Sequence, residues 1–243
     1  MPGRPTWLDP RVSLHQGDVV SYSEMCVAEK MNLQAGMNFR PGGRRSIFLM
    51  SVSAGAPYAD RVEEDGRVLI YEGHNTPQSP GAPDSKTVDQ PESSRKGTPT
   101  QNGKFARAAR LHRDAGEPPE LINVYEKIKP GIWTYNGAFE LVDAWMESSG
   151  GRKVFKFKLE LRAANEPADS PEQDDLLHAR MIPSAVKLEV WKRDGGQCVT
   201  CGSADNLHFD HILPFSKGGS SLVAENIQLL CARHNLAKSD RIE

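Results

Sequence analysis

No apolar run in this chain approaches the about 18 residues that a membrane span needs. Cysteine is scarce: there are four, Cys26, Cys198, Cys201 and Cys231. Three of them fall in the last 46 residues, which suits a local metal site and not a disulfide scaffold. That usage points to a reducing cytoplasm. Met1 to Pro10 hold no apolar stretch of the kind a secretory signal needs, and no internal repeat is present. An excess of positive charge is also missing, with 30 Lys and Arg against 32 Asp and Glu and a formal net charge of -2. A protein that grips nucleic acid by bulk charge would be basic, so any such grip must come from local clusters. What is present, 38% hydrophobic and 26% charged residues over 243 positions, suits a soluble globular protein of one large or two modest domains.

Residues 163–179 (AANEPADSPEQDDLLHA) hold five acids, two prolines and neither Lys nor Arg. They have no hydrophobic period and read as a linker. The expected division is therefore a body over residues 1–162, a linker over 163–183 and a tail over 184–243. In the body, SIFLMSV at 46–52, RVLIY at 67–71, residues 120–128 and residues 133–145 read as strands. VFKFKLEL at 154–161 alternates apolar and polar residues, the period of a half-buried strand. Residues 23–32 and 103–112 read as helices, with Cys26 as a buried core residue. A Pro/Ser/Gly-rich loop covers 75–101, a length more often functional than idle. The sum is an α+β domain with a strongly bent sheet or a barrel.

Two basic clusters stand out. Arg40, Arg44 and Arg45 surround Pro41-Gly42-Gly43. Arg95, Lys96, Lys104, Arg107, Arg110 and Arg113 follow, with no acid between residues 93 and 113. The last three arginines crowd one helical face. Such crowding is unfavourable unless phosphates sit opposite; the alternative is a solvated face.

In the tail, residues 184–193 read as a helix with Ser184 as N-cap. A short strand follows at 207–211, then a loop through Gly218-Gly219 and a helix from near Glu225. Cys198-Val-Thr-Cys201 and Cys231-Ala-Arg-His234 each place two residues between potential ligands. That spacing lets one turn aim two side chains at a tetrahedral zinc, and zinc would supply folding energy to a tail too short for a large core.

Within that bracket the chain reads Asp210-His211-Ile212-Leu213-Pro214, Gly218-Gly219, Asn226, and Asn235 with Lys238. This resembles the HNH, or ββα-metal, endonuclease family over about residues 187–241. The resemblance implies that Asp210 and Asn235 ligate Mg²⁺ or Mn²⁺ and that His211 is the general base for an attacking water. It implies that Asn226 holds the loop carrying His211, while Lys238 could contact phosphate. His234 on zinc keeps the CxxH spacing and leaves Asn235 its spacing to Lys238. The alternative puts His234 on the catalytic metal and leaves zinc three protein ligands. His208 is either a structural histidine or a further contact in the active site.

The body carries Pro57-Tyr58-Ala59-Asp60, Asp65-Gly66, Tyr71-Glu72-Gly73-His74, Asp89-Gln90, Asn102-Gly103 and Tyr135-Asn136-Gly137 running on to Trp145. This order resembles the SRA, or YDG, domain over about residues 15–162, with Asn136 standing where the family has Asp. The resemblance implies a domain that flips 5-methylcytosine or 5-hydroxymethylcytosine out of double-stranded DNA. Tyr58 and Tyr71 would sandwich the base, Asp60 would accept from its N4 amine, and Glu72 takes a base-contacting position held by Thr in relatives. Arg40, Arg44, Arg45, Arg95, Lys96, Lys104 and Arg107 would contact phosphates, which positions without specifying.

Together these expectations describe a modification-dependent, type IV-like restriction endonuclease. Two other readings stand beside it: a modified-DNA reader with a structural HNH tail, and a weakly specific HNH nuclease. One HNH site cuts one strand, so a double-strand break needs a homodimer or two successive events.

Overall fold

A computed structural model describes residues 14–51, 58–75, 83–162, 181–214 and 217–238. Residues 163–180 of the expected linker, Met1 to Pro10, Pro57 and residues 76–82 of the long loop lie outside them. The fold is α+β. Its strands are β1 (Val19–Ser21), β2 (Met37–Asn38), β3 (Ser46–Ser51), β4 (Arg61–Glu63), β5 (Val68–Glu72), β6 (Glu120–Lys129), β7 (Ile132–Ser149), β8 (Arg152–Leu161), β9 (Leu207–His211) and β10 (Ile227–Cys231). The helices are α1 (Tyr22–Ala28), α2 (Gln101–Ala115), α3 (Ser184–Arg193) and α4 (Ala232–Lys238). Among the described residues, no helix is long and apolar enough to cross a membrane.

The large sheet runs β2-β3-β6-β7-β8-β5-β4, with β1 on β7, and has eight strands. The alternation in β8 holds only from Phe157 on, where Phe157 and Leu159 are fully buried and Glu160 is exposed; before it Val154, Phe155 and Lys156 are all buried. The long β7 takes a register shift between Leu141 and Asp143, a local irregularity of the kind that bends a strand.

The chain divides into two compact units, which cut across the boundary expected at residue 162. One comprises Ala35–Val124 and Ala138–Arg162; the other comprises Met1–Gln34, Tyr125–Gly137 and Ala163–Glu243. The first has a core of Phe48, Tyr71, Phe105, Phe139 and Phe157, all fully buried. α2 caps its N-terminus with Thr100, whose side chain accepts from Gly103 N, and buries Phe105, Ala106 and Ala109. The second unit gathers Ile128, Ile182, Val186, Val190, Phe209, Ile227 and Leu229 in one cluster, with Val19, Ile132 and Trp191 packed on it.

Three local expectations are corrected. α3 begins directly after Pro183, whose extended backbone is the N-cap and makes no side-chain cap; Ser184 is the first helical residue. The segment after Glu225 is not a helix. A 3₁₀ turn at Ala224–Asn226 leads into β10, and only then into α4. The apolar run Ile227–Cys231 is a buried strand against β9, and such short runs do not show their period. Cys26 is half-buried on α1, while its neighbour Met25 is the fully buried residue.

Candidate functional site

In the second unit, β9 and β10 pair antiparallel with Asp210 opposite Gln228 and His211 opposite Ile227. α4 follows at once, giving a ββα order. Leu207 and Phe209 point into the core, so His208 and Asp210 lie on the other face of β9. His208 Nδ1 lies 2.5 Å from Asp18 Oδ1, and the two residues form a β-bridge. Both contacts are of the kind a structural histidine makes.

Four ligand atoms, from Cys198, Cys201, Cys231 and His234, lie within 4.8 Å of one another. Cys201 Sγ is 3.8 Å from Cys231 Sγ. His234 Nδ1 is 3.4 Å from Cys198 Sγ and 3.3 Å from Cys231 Sγ. A tetrahedral zinc about 2.3 Å from sulfur and about 2.0 Å from nitrogen separates its ligands by about 3.3–3.8 Å, so the four residues fit zinc and His234 belongs to this set. The knuckle is built from backbone bonds: Gly202 N donates to Cys198 O and Cys198 N to Ser203 O, both at 2.8 Å. Burial pushes the Cys198 thiol up, but N–H groups of Cys231, Cys201 and Thr200, with His234, outweigh it and bring it down to about 6. That favours the thiolate a metal needs.

Above the knuckle, Asn226 behaves as a loop clamp. Its Oδ1 accepts from Leu213 N at 2.8 Å, and its Nδ2 donates to Leu213 O and Ser220 O, each at 3.0 Å. Gly219 makes this closure possible, since a Cβ there would sit 1.8 Å from Leu213 O. His211 Nε2 lies 2.8 Å from Ser221 Oγ, a partner the sequence did not single out. Asp210 Oδ2 accepts from Lys238 Nζ at 2.9 Å and from Gln228 Nε2 at 3.2 Å. Asn235 is half-buried on α4. The expected phosphate contact of Lys238 does not fit its place: it is 3% exposed and also donates to His211 O at 2.6 Å.

In the first unit the motif residues gather around the end of β5. Glu72 N donates to Asp60 Oδ1 at 2.8 Å. The Tyr58 ring, half-buried, stacks on His74 at 5.2 Å and 10°. Tyr71 differs from expectation: it is 1% exposed and its ring packs on Phe48 at 4.2 Å. Its hydroxyl reaches Leu49 O and His74 Nε2, both at 3.2 Å. Burial, with Asp60 and Tyr58 nearby, holds that hydroxyl protonated far above its ordinary range. The ring that partners Tyr58 is therefore His74, which burial keeps neutral, its pKa lowered to about 4.

Glu72 also turns inward. Its Oε2 accepts from Lys156 Nζ at 2.8 Å and Ala59 N at 3.2 Å, and Arg152 lies 3.7 Å from Oε1. Gln90 and Asn102, from the Asp89-Gln90 and Asn102-Gly103 motifs, lock the strand end. Gln90 Nε2 donates to Gly73 O at 2.5 Å, and Asn102 bridges His74 N at 2.9 Å and His74 O at 2.8 Å. Gly73 admits them, since a Cβ would lie 2.6 Å from Asn102 Oδ1.

The basic clusters divide. Arg44, Arg45, Arg95, Lys96, Lys104 and Arg107 are exposed. Arg40 is also exposed but donates to the buried Glu120 at 2.6 Å. Arg110 pairs with Glu92, and Arg113 with Asp114 and Asp143 at 2.8 Å. Two of the three arginines of the crowded helical face, Arg110 and Arg113, are thus balanced by acids within the chain.

Residues 198–241 match the family described as HNH endonuclease. No curated protein matches the chain. Among solved structures it is similar to SUVH5 SRA in complex with methylated CHH DNA, at 20% identity and TM-score 0.43, covering 64% of this chain and 92% of that one. SUVH5 SRA bound to fully hydroxymethylated CG DNA gives 20% identity and TM-score 0.38, covering 64% and 89%. Arabidopsis thaliana SUVH6 in complex with SAM gives 20% and 0.39, covering 68% of this chain and 28% of that one.

Proposed function

We propose that this chain is a modification-dependent DNA endonuclease, a type IV-like restriction enzyme for duplexes carrying 5-methylcytosine or 5-hydroxymethylcytosine. The observation that carries the nuclease reading is the ββα arrangement over the zinc knuckle. It sets Asp210 and His211 at the end of β9 and Asn235 on the helix that follows β10. A carboxylate and an amide oxygen are the donors a hard cation prefers, so Asp210 and Asn235 fit Mg²⁺ or Mn²⁺. When bound, that cation would neutralise charge on the scissile phosphate and the leaving 3′ oxygen.

The chain's own residues do the rest. His211, whose imidazole titrates near neutrality in its ordinary state, takes the proton of the attacking water. Asn226 keeps the loop over His211 closed. Lys238 holds Asp210 and the His211 carbonyl from inside. Cleavage leaves 5′-phosphate and 3′-hydroxyl ends. Each such site cuts one strand, so two protomers or two events make a double-strand break.

Modification dependence is supported by the cluster at the end of β5. Tyr58 offers a ring on which an extruded base stacks, worth roughly 1–3 kcal/mol. Asp60 accepts from the cytosine N4 amine. Tyr71 and Glu72 back this site from the core. Exposed Arg44, Arg45, Arg95, Lys96, Lys104 and Arg107 hold the phosphates.

The test is a cleavage panel with Mg²⁺ or Mn²⁺ on matched duplexes carrying cytosine, 5-methylcytosine, 5-hydroxymethylcytosine or glucosylated cytosine. Preferential cutting of a modified duplex is expected. Equal cutting of all removes the modification claim and leaves a weakly specific HNH nuclease. His211→Ala is expected to abolish cutting while zinc content and DNA binding persist; normal cutting by that variant refutes the mechanism.

A further inference from the structure

Ser221 is 1% exposed, and the motif reading gives it no role. Its Oγ lies 2.8 Å from His211 Nε2. The surrounding bonds fix it there. Asn226 ties Ser220 O and both backbone groups of Leu213, and Ile212 N donates to Asn226 O at 2.7 Å. The loop that delivers the hydroxyl is thus fastened to the strand end that delivers the imidazole.

A neutral imidazole carries one N–H and one acceptor nitrogen. The nitrogen that takes a proton from water must be the acceptor, so the other must carry hydrogen and donate it. With Nε2 turned to Ser221, the arrangement that suits a general base is Nε2–H donating to Ser221 Oγ and Nδ1 as the base. In the reverse arrangement Ser221 would donate to Nε2, and Nδ1–H could accept nothing. The second bond that orients a catalytic histidine sets its tautomer.

From this geometry we infer that Ser221 is a positioning residue for His211, holding its ring and fixing the tautomer in which Nδ1 receives the proton. This rests on the proposed role of His211 as general base. Ser221 touches no reacting atom and acts through the imidazole alone.

Two measurements on the full zinc-loaded chain test it. The first is long-range ¹H–¹⁵N correlation of the histidine rings at neutral pH, with His211 assigned by its loss in His211→Ala. The Nε2–H tautomer is expected in the unaltered protein, and a mixed population in Ser221→Ala. An Nδ1–H tautomer in the unaltered protein overturns the inference, whatever becomes of the nuclease reading. The second is steady-state cleavage of a methylated duplex. Because general-base catalysis is worth about 10²–10⁴-fold, Ser221→Ala is expected to lower kcat by about 10-fold or more, with KM within about twofold. Ser221→Thr, which keeps the hydroxyl, is expected to recover most of it. An undiminished kcat in Ser221→Ala overturns the inference while leaving the nuclease reading intact. Undiminished cutting by His211→Ala overturns both.

Discussion

Truncating Tyr71 removes a fully buried ring packed on Phe48. Aromatic-to-alanine changes in cores cost about 3–5 kcal/mol, so Tyr71→Ala is expected to lose stability first and discrimination only as a consequence. Tyr58→Ala removes a half-buried ring and is expected to lose the preference for modified DNA with stability nearly intact. Urea denaturation beside paired cleavage of methylated and unmodified duplexes separates the two; a strongly destabilised Tyr58→Ala would contradict this assignment. His74 adds a pH dependence. Burial lowers its pKa from 6.5 to about 4, so the unfolded chain takes up a proton before the folded one does. Its contribution to stability is complete above the unfolded value and shrinks as pH falls from 6.5 towards 4, by up to about 3 kcal/mol. His74→Gln is expected to flatten that part of the stability profile. Parallel profiles for the two proteins in urea melts between pH 7 and 4 would contradict it.

At the scale of elements, structure was legible where apolar and polar residues alternate, as in β8 from Phe157 on, and where ligand spacing is rigid, as in the Cys/His knuckle. β10 and the start of α4 were not, because a buried strand and a buried helix turn share the same apolar run. The change from Asp to Asn at Asn136 was visible in sequence but not interpretable there. α3 supplies the reason. Lys187, 2% exposed, donates to Glu126 Oε2 at 2.6 Å and to Asn136 Oδ1 at 2.5 Å, while Asn136 Nδ2 donates to Glu126 Oε2 at 3.0 Å. An amide both accepts and donates, which a carboxylate cannot; Asp there would bury a second negative charge beside Glu126. Lys187→Met strands the Glu126 carboxylate in the core and is expected to cost about 3–5 kcal/mol. Adding Glu126→Gln removes the stranded charge and is expected to restore part of that loss. A double variant no more stable than Lys187→Met in chemical denaturation would show that the charge is not the cause.

At the scale of the whole molecule, the sequence places a boundary at the acidic stretch after residue 162, and composition alone supports no other. The packing of the segment that follows does not stop there. Its core cluster includes Ile128, with Val19 and Ile132 against it. Phe209 N donates to Gly17 O at 3.1 Å, and His208 bridges to Asp18. These partners come from two segments far apart in the chain, each giving only a few apolar residues, so no local pattern announces them. Nor is there surplus charge to compensate, since residues 184–243 carry seven Lys and Arg against seven Asp and Glu. A fragment of residues 184–243 would expose the face that Ile128, Val19 and Ile132 cover and would leave Lys187 without Glu126. Zinc on Cys198, Cys201, Cys231 and His234 would close the knuckle but would not replace that core. The zinc-loaded fragment is therefore expected to give poorly dispersed amide resonances and no metal-dependent cutting, whereas the full chain is expected to give a dispersed spectrum and to cut. A well-dispersed spectrum and cleavage of plasmid by the fragment alone would show that the segment is autonomous and that the packing from Gly17 to Ile132 is dispensable.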